Sequence, residues 1–138
     1  MITHLGIVTI FVRDQQQALA FYTEKLGFEK RIDYPMGPGI RWLTVAPKGS
    51  QTHIALLKPM PEIMGEDASK AEAEIGSVRL WYFDTEDIEA TYKEFSSRGV
   101  KFIKKPEKQS WGGVEACFED PCGNRFVLVQ VHGGGAGT

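Results

Sequence analysis

The chain has 138 residues, 42% hydrophobic and 25% charged, with a formal net charge of −2. That size and balance suit one compact globular domain or two small halves sharing a core. No basic stripe appears, which argues against a nucleic-acid partner, and no apolar run approaches the roughly 20 residues needed to span a bilayer.

The N-terminus lacks the charged start, apolar run and small-residue cleavage site of a signal peptide. Leu5 to Val12 then reads as a buried strand. Asp14 follows as a helix N-cap, and Ala18, Leu19, Phe21, Tyr22 and Leu26 fall on one helical face. Gly27 ends that helix. Strands are expected over Phe28 to Tyr34, Ile40 to Ala46 and Thr52 to Leu57, with Pro35 to Gly39 as a loop. The order is β-α-β-β-β. Residues 59 to 76 read as a linker with a short helix from Ala68 to Glu74.

Val78 to Phe83 reads as the next strand, with Asp84 as cap of the helix carrying Ile88, Tyr92 and Phe95. Gly99 stops that helix. Val100 to Ile103 is a strand, Pro106 to Gly113 a loop holding Trp111, and Val114 to Phe118 and Arg125 to Val131 are strands. The order is again β-α-β-β-β. Residues 133 to 138 are a glycine-rich tail expected to be flexible. Cys117 and Cys122 make neither a zinc pattern nor a disulfide framework, so free thiols and a reducing cytoplasm are expected.

The turn Asp120-Pro121-Cys122-Gly123-Asn124 closes the second copy. Asp120 can bond its own backbone, Pro121 presets φ, and Gly123 or Asn124 can take positive φ. Cap, stop glycine and closing strand recur in both halves, which points to a duplicated unit. One such unit buries too little surface by itself, so two should share a core. The fold class expected is α+β: two βαβββ modules, about 4–58 and 77–132, in one domain over 1–132.

The stretches Val12-Arg13-Asp14, Ala18-Leu19-Ala20-Phe21-Tyr22, Leu26-Gly27-Phe28 and Glu119-Asp120-Pro121-Cys122-Gly123-Asn124 with Phe126-Val127-Leu128 carry a family resemblance. The chain resembles the vicinal oxygen chelate superfamily, which includes glyoxalase I, extradiol dioxygenases, fosfomycin-resistance enzymes and bleomycin-binding resistance proteins. The resemblance covers Leu5 to Val131. It implies paired βαβββ modules whose curved sheets enclose a cavity, usually in a homodimer. One fold hosts many chemistries, so the fold alone names no reaction.

Members that use a divalent metal place ligands at set points of this pattern. The first lies seven residues before the Asp that opens the first helix, which here is Ile7; counted from Asp84, its counterpart is Ser77. The last-strand carboxylate falls on Val127, and its first-half counterpart is Ala55. Three of these four cannot coordinate a metal, and serine is a poor ligand. No metal or other cofactor is therefore expected at that place.

Strand alternation selects the side chains sharing a face with those positions. Thr9 and Phe11 follow from Ile7, His53 from Ala55, and Arg79 and Trp81 from Ser77; Val78, Leu80 and Tyr82 would then pack on the helices. An inward Arg79 can pair with an anion and Trp81 can stack on a ring, although a rim salt bridge serves Arg79 equally well and core packing is the commoner use of a tryptophan. His53 suits a general base or a hydrogen-bonded strand residue. Glu115, within a strand, suits a cavity acid or a solvated rim. Trp42 and Trp111 are wall or lid candidates by their place beside matched loops. His4 has the wrong parity, and His132 beside the tail is expected to be solvated. The function expected is binding of an aromatic or anionic small organic molecule, for sequestration or sensing. The alternatives are a metal-dependent lyase or dioxygenase, with ligands from unusual positions such as His53 and Glu115, and an adaptor with no ligand.

Overall fold

A computed structural model describes residues 1–131, so His132 and the glycine-rich tail lie outside the described residues. The chain divides into two compact units, Met1–Gly76 and Ser77 onward.

In the first unit, β1 (Ile7–Phe11) leads to α1 (Gln15–Ala20), β2 (Glu29–Gly37), β3 (Ile40–Ala46) and β4 (His53–Leu57). The sheet order is β1-β4-β3-β2, with β1 parallel to β4 and the other pairs antiparallel. Asp14 caps α1 by accepting the Gln17 N–H. The helix then widens into a π-helical turn over Phe21–Lys25, in which the Leu26 N–H donates to the Phe21 carbonyl five residues back. Ile10, Leu43, Val45, Ile54 and Leu56 are buried together with Phe21, Tyr22 and Leu26 of the helical segment. Buried Gln15 ties the start of α1 to the sheet: its amide donates to the Arg41 and Leu56 carbonyls and accepts the Arg41 N–H.

The expected loop from Pro35 shrinks to the turn at Pro38-Gly39, because β2 runs on through Gly37. Proline is tolerated there because β2 is the edge strand. The stretch read as a linker carries two helices, α2 (Pro61–Met64) and α3 (Asp67–Ala73). Pro61 opens α2, where its missing N–H costs nothing, and Ala68 and Ala71 bury one face of α3.

The second unit repeats the plan. It runs β5 (Trp81–Asp84), α4 (Ile88–Ser97), β6 (Lys101–Lys108), β7 (Val114–Glu119) and β8 (Arg125–Gln130), in the order β5-β8-β7-β6. Its core is aromatic. Phe118 packs against Phe126, Phe102 and Phe95 at centroid separations of 5.6, 5.7 and 5.9 Å. The Asp120–Asn124 turn is a closed hydrogen-bonded unit. The Asp120 carboxylate accepts the N–H groups of Cys122 and Asn124 and the Asn124 amide, while Gly123 takes φ 94°. Fully buried Asn124 then accepts the Val78 N–H, fastening the turn to the chain entering β5.

Three expectations in this unit are corrected. The loop expected from Pro106 is shortened, because β6 runs on through Pro106 to Lys108. Asp84 is the last residue of β5, and Asp87 caps α4 by accepting the Ala90 N–H. The strand expected from Val78 begins only at Trp81, because Leu80 sits at φ 60°, the one positive φ among the described non-glycine residues. The matching ladders show what Leu80 absorbs. His53 and Arg125 donate to the Gly6 and Val78 carbonyls, and Thr9 and Tyr82 stand beside the matched residues Ala55 and Val127. The path from Val78 to Tyr82 is thus one residue longer than that from Gly6 to Thr9.

Candidate functional site

A pocket of about 300 Å³ opens on the second sheet, on the face turned away from α4. Its position follows from register. Trp81 pairs with Phe126 and Tyr82 with Val127 across the parallel β5–β8 ladder. Phe126 is buried among the aromatic residues that meet α4, so Trp81 and Phe83 lie on the helical side. Tyr82 and Val127 take the opposite face.

Two rows of side chains cross that face. One runs Tyr82, Val127, Cys117, Lys104; the next runs Asp84, Val129, Glu115, Glu107. Tyr82, Val127, Cys117, Lys104, Glu115 and Glu107 all line the pocket, joined by Leu80, Lys105, Gln109 and Ala116. The β6 edge contributes three charged groups because its register slips between Lys104 and Glu107. That bulge holds the extra residue and re-aims the strand, and Pro106 falls within it, where no ladder N–H is needed. Burial pushes the Cys117 thiol up, against a smaller downward pull from Arg125 and Lys104, so it is a neutral thiol at pH 7 rather than a nucleophile. The pocket therefore has an apolar and aromatic end at Leu80, Tyr82 and Val127 and a charged end on β6 and β7.

The sequence-derived residues separate into groups. Glu115 lines the pocket. Trp81, expected on the open face, packs instead against Phe126 on the helical side, the rings tilted at 46° with centroids 6.0 Å apart. Arg79 is exposed and folds back on the turn, donating to the Val78 and Gly123 carbonyls at 2.7 and 3.3 Å. Leu80 and Tyr82, expected against the helices, are pocket residues. The facing is reversed because the helix cap is Asp87 and not Asp84: seven residues before Asp87 lies Leu80, not Ser77. Trp111 sits 52% exposed in the turn after β6, its indole occupying the space where Gly113 would carry a side chain. It is absent from the pocket lining, whereas Gln109 of the same turn contributes.

Thr9, Phe11 and His53 share the open face of the first sheet, as alternation from Ile7 and Ala55 predicts, and the ladder adds Trp42 to the same face. His53 is engaged on both ring nitrogens, with Arg31 Nη1 at 3.4 Å from Nε2 and Thr44 Oγ1 at 3.1 Å from Nδ1. A guanidinium only donates, so Nε2 accepts and Nδ1–H donates to Thr44. Arg31 is itself anchored on the Ser50 and Pro47 carbonyls at 3.0 Å.

The positions that correspond to the metal places of the resembled superfamily are Ile7, Ala55, Val127 and, with the corrected cap, Leu80, all hydrocarbon. Among the described residues no three His, Cys, Asp or Glu side chains are grouped closely enough to hold a metal ion. This donor set does not fit a divalent ion.

Two open-faced four-stranded sheets of identical order, each backed by a helix, define a protein of the glyoxalase type. The chain belongs to the Glyoxalase/Bleomycin resistance protein/Dioxygenase superfamily, whose family profile matches residues 2–128. It is 39% identical over 130 residues to the uncharacterized protein YetH of Bacillus subtilis (strain 168), covering 94% of this chain and 100% of that one. Among solved structures, it is 39% identical to a superfamily member from Sphaerobacter thermophilus DSM 20745, with TM-score 0.77 and coverage of 94% and 98%. It is 35% identical to TnmS3, an antibiotic binding protein from Streptomyces sp. CB03234, with TM-score 0.76 and coverage of 94% and 96%. No described helix is long and apolar enough to cross a membrane.

Proposed function

We propose that the protein binds a small organic molecule in the pocket of the second sheet, without a metal, and serves to sequester or sense it. The observation that carries this reading is the pocket itself: an apolar and aromatic end formed by Tyr82, Leu80 and Val127, facing a few charged groups on β6 and β7. Apolar walls with few convergent polar groups are the usual make-up of a small-molecule site, and about 300 Å³ lies at the lower end of such sites. The antibiotic binding relative supports the same kind of use.

A neutral thiol at Cys117 and hydrocarbon at Ile7, Ala55, Leu80 and Val127 supply neither nucleophile nor Lewis acid to this pocket. The alternative, a metal-dependent lyase or dioxygenase recruiting His53 and Glu115, meets an obstacle in the first sheet. Both His53 nitrogens are already engaged, one by the Arg31 cation, and a divalent ion would have to displace that contact. We further propose that the protein works in the cytoplasm as a homodimer, the arrangement the resemblance implies. Sedimentation showing monomer alone across micromolar concentrations would contradict the dimer.

The metal-free reading is tested by elemental analysis after dialysis against zinc, nickel, manganese and iron, with and without EDTA. The expected result is no stoichiometric metal. Near-stoichiometric metal, lost with activity on chelation, would overturn the reading in favour of the lyase or dioxygenase.

A further inference from the structure

The pocket's charges are ordered. Tyr82, Val127 and Cys117 form one row that ends in Lys104, and the next row carries Glu115 beside Glu107. The two rows are separated by two residues along β7, about 7 Å. Glu107 and Glu115 are direct cross-strand partners on one face, and like charges so placed are destabilising. No ion pair joins either of them to a cation among the described residues, although Lys104 and Lys105 line the same pocket. The bulge between Lys104 and Glu107 is what brings positive and negative side chains of one edge strand to the same pocket face. Opposite them, the wall formed by Tyr82 and Leu80 is apolar.

We infer that the ligand is a zwitterion on an apolar, ring-bearing body. Its basic nitrogen sits between Glu107 and Glu115, its acidic group is held by Lys104, and its ring lies against Tyr82. This rests on the small-molecule reading above and adds the ligand's chemical class. A basic nitrogen relieves the repulsion of the two carboxylates, and an acidic group a few ångström away meets the ammonium of the neighbouring row. A ligand with either charge alone leaves the other end of the pocket without a counter-charge and faces a like charge nearby.

Calorimetric titration of the full-length protein with three matched probes tests this. They are naphthylmethyl-γ-aminobutyrate, its N-acetyl derivative, which loses the positive charge, and its primary amide, which loses the negative one. The zwitterion is expected to bind about fivefold or more tighter than either relative, since each charge-assisted contact contributes on that order. The Glu107→Gln/Glu115→Gln double variant should bring the zwitterion down to the level of the N-acetyl probe while leaving that probe unweakened. Lys104→Gln should bring it down to the level of the amide. Equal affinity for all three probes, or variants that weaken all three alike, overturns the zwitterion and leaves the pocket as a small-molecule site. Failure of every probe to bind the unaltered protein at millimolar concentration overturns both the ligand class and the pocket reading.

Discussion

Trp81 and Tyr82, neighbours in sequence, face opposite sides of the second sheet. Trp81 packs against Phe126 at 6.0 Å, and Tyr82 stands beside Val127 in the pocket wall. Their substitutions should therefore separate. Trp81→Ala removes a half-buried ring from the aromatic core and should lower unfolding free energy by about 2 kcal/mol, less than a fully buried Trp would cost. It should leave the affinity for a pocket ligand unchanged. Tyr82→Ala should weaken ligand binding about tenfold with a stability change within about 0.5 kcal/mol. Urea unfolding and calorimetric titration on the same two variants check both halves.

Asn124 fastens the Asp120 turn to the chain entering β5. Replacing it with alanine removes the hydrogen bonds that its fully buried side chain accepts from the part-buried Val78 N–H and donates to Asp120 Oδ2. A lost hydrogen bond costs about 1 kcal/mol, and about 1.5–3 kcal/mol where one partner is charged. Asn124→Ala should lower stability by about 3 kcal/mol at unchanged denaturant slope. A loss below about 1 kcal/mol would mean the turn holds without that clamp.

Leu80 holds a left-handed backbone at φ 60° with its side chain 71% exposed. A β-carbon in that conformation costs about 1–2 kcal/mol, while glycine's extra unfolded-state entropy returns about 0.5–1 kcal/mol of that. Leu80→Gly should therefore be neutral or stabilising by up to about 1 kcal/mol, the reverse of what the same change does in a regular strand. Thermal unfolding checks the sign. A loss greater than about 2 kcal/mol would show that the leucine side chain is anchoring the pocket wall.

Arg41 grips Asp33 with both guanidinium arms, Nε to Oδ1 at 2.9 Å and Nη2 to Oδ2 at 2.7 Å. The hydrogen bond from Arg41 holds the Asp33 carboxyl well below the usual carboxylate range, with a smaller contribution from Lys30 and against a partial upward push from burial. A depressed folded-state pKa stabilises above the unfolded value, near 4, and that stability is lost as pH falls toward the folded value. The pair is at the surface, so solvent screening limits it to about 1 kcal/mol or less. Asp33→Asn should be less stable than the parent at pH 7, with the gap narrowing below about pH 4 and shrinking with added salt. Denaturation midpoints across pH 2 to 7 check it.

The fold was readable because its punctuation is local. Asp14, Gly27 and Gly99, together with apolar runs at strand or helix spacing, mark element ends by short-range chemistry. The open face of the first sheet was readable too, since β1 continues in register from Ile7 to Phe11. The second sheet's facing was not. Asp84 and Asp87 are both plausible caps, three positions apart, and the choice between them flips every side chain in an alternating strand. The extra residue taken up at Leu80 has no periodic signal, because a leucine at positive φ looks like any strand leucine. The prolines misled for the same reason in both halves: Pro35 and Pro106 read as loop markers, yet each lies in an edge strand where no ladder hydrogen bond is lost. The bulge that turns Lys104 and Glu107 to one face is likewise a feature of pairing, invisible until β6 and β7 are aligned.

Occupancy of the second-sheet pocket by a small organic molecule, without help from a metal, separates this function from the lyase and dioxygenase alternative. It is tested most directly by amide chemical-shift mapping of the isotope-labelled protein, titrated with naphthylmethyl-γ-aminobutyrate in the presence of EDTA. The expected result is saturable shifts centred on Tyr82, Lys104, Glu115, Cys117 and Val127. Shifts centred instead on Thr9, Trp42 and His53, or binding that vanishes with the chelator and returns with a divalent metal, would contradict it.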